Sequence, residues 1–480
     1  MGMGRTSLAM VLAGAVAACG GGGGGGSGNV SGGGTGGGGG GGTPTPTAGC
    51  ALSERQDFAK AVIDEWYLFP TLVDNSVSKS SHSTVQSYID ALVAPARAQS
   101  KDRFFTYITS IAEENAFFNS GSSAGFGVRL SYDTSANRVF VVEAYEGAPA
   151  LTAGIDRGTE IVAIGTDANN LQTVAALMAS GGPSAVSNAL GPSDAGVTRV
   201  IRINRNGTLT NVTVTKATYS LDPVSNRYGA QIINDGGKKV GYINLRTFID
   251  TADADLRSAF ATFKGEGVTE VIVDVRYNGG GLVRIAELFG DLMAANRVGQ
   301  VFSYTTFRDS KSSNNETDLI GSQAQAISAT KVAFIGYSGT ASASELVANA
   351  FIPYLGTNTA LVGGNTYGKP VGQIALDRAA CDDRMRVVAF KTENAARQGE
   401  YFTGLASVFP RTCAAGDDIS RQLGDPNETA IKAALDFLGG RTCTPITSAE
   451  GQRTLSLSPK RVLLQADNPT AAQFETPGLF

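Results

Sequence analysis

The spacing of apolar residues changes twice along the chain. In residues 50–118 apolar side chains recur mostly every three or four residues, as at Phe58, Val62 and Trp66, and this period predicts helices. In residues 119–220 short apolar runs alternate with glycine-rich turns, which predicts strands. We therefore expect an N-terminal helical domain followed by a β-rich domain.

Beyond residue 236 strand and helix patterns alternate. Continuous runs such as Val271–Val273 suit a strand that is buried on both faces of an α/β layer. The predicted strands cover 240–245, 268–275, 332–335 and 359–362, and the predicted helices lie near 252–264, 284–295 and 346–352. We expect a multi-domain α+β protein whose third domain, residues 230–440, has an α/β fold. The tail, residues 444–480, shows no clear period and suggests no role.

The first residues have the pattern of an export signal. A basic start leads into an apolar stretch from Leu8 to Ala18 that is too short to cross a bilayer, and Cys19 follows it. Val16-Ala-Ala-Cys19 resembles the lipobox of bacterial lipoproteins, in which the cysteine is lipidated and becomes the new N-terminus. Residues 1–19 would then be the signal peptide and lipobox, with Cys19 as the anchor; an ordinary cleaved signal is the alternative. Residues 20–49 are mostly Gly, Ser, Thr and Pro and predict a flexible linker. We expect an exported protein, lipid-anchored to a bacterial membrane and facing the periplasm or the cell exterior.

Four cysteines remain when Cys19 is set aside. An even number in an exported chain favours disulfides over free thiols, and the absence of a CxxC spacing gives no support to a zinc site. Of the three possible pairings we favour Cys381–Cys413 and Cys50–Cys443, because the second would join the start of the folded body to its end. No metal or cofactor is expected. With 17% charged residues and a net charge of −4, the composition gives no support to a nucleic-acid partner.

The histidine content limits the possible hydrolase chemistry. The single histidine, His82, lies in a serine-rich stretch that predicts a surface loop, and no Gly-x-Ser-x-Gly elbow occurs. A serine hydrolase built from this chain would therefore take its base from another residue type, and lysine is the known substitute.

Two glycine-rich turns carry the residue types that such a site needs. Gly339-Thr-Ala-Ser-Ala-Ser-Glu345 lies between a predicted strand and a predicted helix, where a serine is exposed beside free N–H groups. Gly363–Gln373 follows another apolar strand and contains Lys369. Free lysine has a pKa of about 10.4, so that Lys369 becomes a base near neutral pH only if burial lowers its pKa.

These two turns, together with Val273-Asp-Val-Arg-Tyr-Asn-Gly-Gly-Gly-Leu282, resemble the S41 family of C-terminal processing peptidases over residues 100 to 440. The resemblance implies a ClpP/crotonase-like α/β peptidase domain that cleaves proteins or peptides with free C-termini. It implies the following roles: Ser342 as nucleophile, Lys369 as general base, Gln373 as the residue that orients the lysine, and the N–H groups of Ala343 and Gly281, or Gly280, as oxyanion hole. Pro370 departs from the glycine that commonly follows the lysine in this family.

The β-rich region resembles a PDZ domain. In that family a Gly-x-Gly-hydrophobic loop offers N–H groups to the C-terminal carboxylate of a peptide, which adds as a strand. Gly125, Phe126, Gly127 and Val128 would form this loop; a generic β-rich domain whose glycines only make turns is the alternative.

Other patterns compete with these interpretations. Gly363 to Lys369 mimics a phosphate-binding loop, but Pro370 stands where Ser or Thr would hold magnesium, so we expect no nucleotide. Ser344 is the nearest rival nucleophile. A catalytically silent relative that only binds peptide tails, and a membrane-tethered scaffold, are the alternative functions.

Overall fold

The computed structural model describes residues 48–446 and 461–480. The expected signal peptide, the lipidation site Cys19 and nearly all of the expected linker lie outside the described residues. In these two ranges no helix is both long and apolar enough to cross a membrane.

The elements are numbered here in chain order. The helices are α1 Leu52–Trp66, α2 Val85–Leu92, α3 Ala94–Ala98, α4 Ile111–Ser120, α5 Pro149–Thr152, α6 Val174–Leu190, α7 Ala252–Gly265, α8 Val283–Met293, α9 Ala343–Leu355, α10 Thr429–Leu438 and α11 Ala471–Glu475. The strands are β1 Tyr107–Ser110, β2 Ser122–Gly125, β3 Val128–Asp133, β4 Arg138–Ala144, β5 Glu160–Gly165, β6 Gln172–Thr173, β7 Thr198–Arg205, β8 Thr208–Thr215, β9 Ala217–Ser220, β10 Ala230–Asp235, β11 Lys238–Asn244, β12 Glu270–Asp274, β13 Val301–Phe307, β14 Glu316–Leu319, β15 Lys331–Gly336, β16 Thr359–Gly363, β17 Val371–Arg378, β18 Asp383–Glu393, β19 Thr412–Ala414 and β20 Arg461–Leu463.

A six-stranded sheet forms the centre of the α/β region. Its strand order is β10-β11-β12-β15-β16-β19, and all pairs are parallel except β10 with β11. Helices α7, α8 and α9 contribute to the core on one face, and α10 to the core on the other. The continuous Val/Ile runs therefore lie in strands buried on both faces, and the strands and helices predicted between 240 and 362 are confirmed.

A seven-stranded sheet follows the N-terminal region and includes the end of the chain. Its main path is β20-β3-β4-β5-β7-β8, with β6 beside β5, and α6 covers its apolar face. Strand β20 comes from the tail to which sequence patterns gave no role, and it pairs antiparallel with β3. Residues 461–480 are thus part of the folded body.

The N-terminal segment has no core of its own. Helices α1 and α2 pack against β17 and β18, and residues of all four elements belong to one buried cluster. Strand β1 also pairs with β18 inside a five-stranded sheet. The helical pattern is correct for most of 50–118, and the apolar face of these helices packs against that sheet.

Both expected disulfide pairings are wrong. The structure joins Cys50 to Cys381, with 5.5 Å between Cα atoms, and Cys413 to Cys443, with 5.3 Å. Cys381 lies at the turn between β17 and β18, beside the start of α1, whereas Cys413 lies on β19 in the six-stranded sheet. The chain after α10 returns to β19, where the main-chain N–H of Ala414 donates to the oxygen of Thr444 at 2.6 Å.

Candidate active site

Ser342 lies at the turn between β15 and α9, as the spacing of its motif predicted. It is the residue before the first turn of α9 and has φ +55°, a conformation that few residues other than glycine adopt. Its main-chain N–H donates to Glu345 Oε2 at 3.1 Å. Ala343 begins the helix, so its N–H belongs to the unpaired first turn.

Ser344, the rival nucleophile, has a structural contact. Its side chain is buried, and Oγ donates to the main-chain oxygen of Asn278 at 3.0 Å. The main-chain N–H of Ala341 donates to the same oxygen at 3.1 Å. Ser344 therefore holds the glycine turn that follows Asn278 against the start of α9.

That glycine turn lies directly beside Ser342. Gly280 and Gly281 have φ +120° and +131°, and a Cβ added to Gly280 would lie 2.7 Å from Ser342 Cβ. Only glycine fits so close an approach. The N–H of Gly280 donates to Asn278 Oδ1 at 2.9 Å, so this N–H already has an acceptor.

Lys369 is held at both ends. Its main-chain N–H donates to Glu345 Oε2 at 2.7 Å, and Nζ donates to Gln373 Oε1 at 2.8 Å. Nζ also lies 4.9 Å from the centre of the Phe105 ring. Burial lowers the pKa of Lys369, and the carboxylates of Glu475 and Asp102 partly oppose this effect.

Glu345 joins the two loops and was not assigned a role from the sequence. It is fully buried, and its Oε1 accepts from Thr366 Oγ1 at 2.5 Å and from the N–H of Gly368 at 2.7 Å. Its Oε2 accepts the N–H groups of Ser342 and Lys369. Burial raises the pKa of Glu345, while these hydrogen bonds oppose the rise. Its third position in helix α9 was the available signal, because a glutamate there commonly caps a helix.

A second segment outside the recognised motifs supports the lysine. Gln373 Nε2 donates to the main-chain oxygen of Phe105. Asp102 holds that segment in turn by accepting the N–H of Phe105 at 2.8 Å. The Arg103 guanidinium donates to the main-chain oxygen of Gly368 at 2.7 Å. The N-terminal segment therefore packs on the lysine loop.

The structure brings the two catalytic candidates into one site but not into direct contact. In the described residues, Lys369 Nζ bonds to Gln373 and makes no hydrogen bond with Ser342 Oγ. Hydrogen bonds of this kind are often long in unliganded enzymes and shorten in the substrate complex. His82 lies elsewhere, at the end of a short 3₁₀ turn, and its main-chain oxygen accepts a hydrogen bond from Gln56.

The candidate peptide-binding loop connects β2 to β3. Gly127 has φ +75°, and Phe126 is buried in the core beneath the seven-stranded sheet. The N–H groups of Gly127 and Val128 converge on one main-chain oxygen of Phe480, at 2.9 and 3.1 Å. The loop therefore binds an oxygen atom through two N–H groups, and its partner is the tail.

Comparison with known families supports the interpretation of the central region. Residues 239–397 match the model of peptidase family S41. These residues, called here the S41 domain, are therefore similar to that peptidase family. The matched range includes Ser342, Lys369, Gln373 and the glycine turn, whereas Arg103, Phe105 and the candidate peptide-binding loop lie outside it.

Curated relatives of the S41 domain are processing peptidases. The chain is 31% identical over 260 residues to carboxyl-terminal-processing peptidase 2 of Arabidopsis thaliana chloroplasts, covering 52% of this chain and 46% of that protein. It is 27% identical over 331 residues to a carboxyl-terminal-processing protease of Synechocystis, covering 67% of this chain and 69% of that protein. The chain spans about half the length of the first curated relatives that it matches.

A solved structure shows the same fold. A putative S41 protease from Bacteroides fragilis superposes with a TM-score of 0.61 at 24% identity, covering 80% of this chain and 97% of that one. The likeness therefore extends beyond the S41 domain into the flanking regions.

Proposed function

We propose that this protein is a serine endopeptidase of the C-terminal processing type, with Ser342 as nucleophile and Lys369 as general base. The observation that carries the proposal is the Glu345 carboxylate, whose Oε2 accepts the N–H groups of both residues. Two loops that are separate in sequence are thereby held within two hydrogen-bond lengths of each other. A binding module would not need this arrangement.

The proposed reaction proceeds through an acyl-enzyme. Neutral Lys369 takes the proton of Ser342 Oγ, which attacks the carbonyl carbon of the scissile amide. The N–H groups of Gly281 and Ala343 hold the tetrahedral oxyanion, because the N–H of Gly280 is already bonded to Asn278. Protonated Lys369 gives its proton to the leaving amine, and water then hydrolyses the ester.

Pro370 is compatible with this mechanism. A proline there removes one N–H, but the Lys369 N–H that binds Glu345 remains. The main-chain oxygen of Pro370 accepts from the N–H of Thr392 at 3.0 Å, just before β17 begins. The proline therefore starts an ordinary strand pairing, which weakens the case for a catalytically silent relative.

The proposed substrate-binding unit is a PDZ domain in residues 119–220. The convergence of the Gly127 and Val128 N–H groups on one oxygen supports this assignment, because such a pair binds a terminal carboxylate. Substrates would be proteins or peptides with free C-termini that add as a strand beside β3.

We further propose that the protein is exported and lipid-anchored through Cys19. The two disulfides support an oxidising compartment. Metabolic labelling with a radioactive fatty acid tests the anchor: the wild type should incorporate label and Cys19→Ala should not.

Cleavage of an unstructured protein with an apolar C-terminus tests the enzymatic proposal. Mass spectrometry of the products should show cleavage by the wild type, none by Ser342→Ala, and measurable cleavage by Ser344→Ala, which loses only the hydrogen bond to Asn278. Unchanged cleavage by Ser342→Ala would contradict the assignment. Binding of the substrate without cleavage by any variant would favour the silent binding module.

A further inference from the structure

Residues 470–480, called here the C-terminal segment, run from the candidate active site to the candidate peptide-binding loop. The segment begins with α11, whose first turn is capped by Thr470, and its last described part lies beside β3. It is anchored internally, because Gln473 Nε2 donates to the main-chain oxygen of Leu479 at 2.8 Å.

At one end the segment pairs with β3 as an added strand. The N–H of Phe480 donates to the oxygen of Val128 at 2.9 Å, and the N–H of Leu130 donates to the oxygen of Gly478 at 2.8 Å. The N–H groups of Gly127 and Val128 bind the oxygen of Phe480, which closes the ladder. This is the hydrogen-bond pattern of β-strand addition.

The Phe480 side chain fills an apolar site at this end. It is 3% exposed and belongs to the buried cluster that also contains Phe126, Ile164 and Leu177. A Cβ added to Gly125 would lie 2.9 Å from the carbonyl carbon of Phe480, so a side chain at that position would push the segment out. The site therefore selects a large apolar residue.

At the other end the segment crosses the candidate active site. A Cβ added to Gly279, which precedes the proposed oxyanion turn, would lie 2.8 Å from Pro477 Cδ and 2.9 Å from the oxygen of Glu475. The Glu475 carboxylate accepts a hydrogen bond from Tyr107 Oη at 3.1 Å, and its negative charge raises the pKa of Lys369. The Phe474 ring stacks on Tyr107 with 3.9 Å between ring centres.

We propose that the C-terminal segment is an intramolecular ligand that occupies the substrate path and inhibits the peptidase. The inference rests on the proposed function and adds its regulation and specificity. A substrate tail ending in a large apolar residue displaces Phe480 from the loop, and the C-terminal segment then moves away from Gly279 and Lys369. Tails that end in a charged residue do not displace it.

Tethering explains why this inhibition is effective. A linked ligand acts at an effective concentration on the order of 1 mM, so a segment of micromolar intrinsic affinity weakens the binding of a free peptide on the order of 1,000-fold while it is in place. Removing the Phe480 anchor removes this competition.

Peptide binding and cleavage together test the proposal. The probe is a fluorescent peptide with the sequence of residues 471–480 and a free or amidated terminus, and binding is measured in a Ser342→Ala background by anisotropy. We compare Phe480→Asp, a chain shortened to end at Pro477, and the control Leu209→Asp, which changes an apolar residue that is 62% exposed on β8. Circular dichroism identifies any variant that fails to fold.

We expect both altered segments to bind the free-carboxylate peptide at least tenfold more tightly than the wild type or Leu209→Asp, and the amidated peptide more weakly. With Ser342 restored, both should cleave the unstructured substrate faster, and the peptide should inhibit them. Unchanged peptide affinity in both variants, with cleavage intact, would overturn the inhibition but not the peptidase. Tighter binding with no cleavage by any Ser342 protein would overturn the peptidase, and with it the claim of inhibition.

Discussion

At the scale of single residues, the Glu345 carboxylate determines the geometry of the site. It accepts hydrogen bonds from one hydroxyl and three main-chain N–H groups, and every donor belongs to one of the two catalytic loops. Burial raises the pKa of this carboxyl group, and the four donors oppose the rise. The proposed serine and lysine chemistry therefore depends on a residue that takes no part in bond making.

Glu345→Gln should lower the free energy of unfolding by about 2–4 kcal/mol, because the amide group turns a donor toward N–H groups that need an acceptor. The cleavage rate should fall by more than the loss of folded protein explains, because the Ser342 and Lys369 loops separate in the variant. Urea denaturation and cleavage rates measure both effects. Glu400→Gln is the control, because that carboxylate is 75% exposed. A variant at position 345 that matched this control in both measurements would refute the role of Glu345.

The resemblance to S41 peptidases suggested Ser342, Lys369 and Gln373, because the strands and glycine-rich turns around Ser342 and Lys369 are recognisable in the sequence. The contacts that Arg103 and Phe105 make with the lysine loop could not be predicted from the sequence, because these two residues lie more than 200 positions before that loop in the chain. Their approach depends on how the N-terminal helices pack, and a local pattern does not contain that information.

At the scale of elements, the alternation of β and α patterns predicted the strands and helices of the α/β region, because the central strands β12, β15 and β16 are buried on both faces. The disulfide pairing, by contrast, was predicted wrongly from the sequence. Pairing depends on which turns meet in space, and the β17–β18 turn meets the start of α1 while β19 meets the chain after α10. Strand β20 likewise could not be predicted, because its three residues are too few to show a period.

Non-reducing digestion and mass spectrometry should recover peptides that link Cys50 to Cys381 and Cys413 to Cys443. The double substitution Cys50→Ser with Cys381→Ser should lower the free energy of unfolding by about 2–4 kcal/mol, because this bond closes the longer loop. Recovery of a Cys381–Cys413 peptide would contradict the arrangement of these elements.

At the scale of the whole molecule, an ionic network connects the proposed PDZ region to the S41 domain. Asp417 accepts from Arg157, in the loop before β5, at 2.6 Å and from Arg276, after β12, at 3.0 Å. Burial alone would raise the pKa of Asp417, but the two guanidinium groups hold it well below its usual range. The carboxylate therefore stabilises the folded state as the anion.

Asp417→Asn should destabilise the protein at pH 7 by about 3–5 kcal/mol, because the buried Arg157 loses its carboxylate partner and Arg276 keeps only Asp274 and Glu428. A lowered carboxylate pKa contributes stability above the unfolded value of about 3.9, and this contribution is lost as the pH falls below it. The difference in the free energy of unfolding between Asp417→Asn and the wild type should therefore shrink by about 1.4 kcal/mol for each pH unit below 4. Urea denaturation at pH 7 and pH 3 measures it, with the exposed Asp64→Asn as control. Equal stability of Asp417→Asn and wild type at pH 7 would contradict the network.

The central claim is that Lys369, whose pKa burial lowers, is the base that activates Ser342. Its most direct test is the rate of cleavage of an unstructured substrate from pH 6 to pH 10. The account predicts that the wild-type rate rises with pH through a single pKa below the roughly 10.4 of free lysine. Lys369→Ala should abolish cleavage at every pH, and Lys432→Ala, which changes a lysine that is 63% exposed, should leave the profile unchanged. A Lys369→Ala protein that cleaved with the wild-type pH profile would contradict the account.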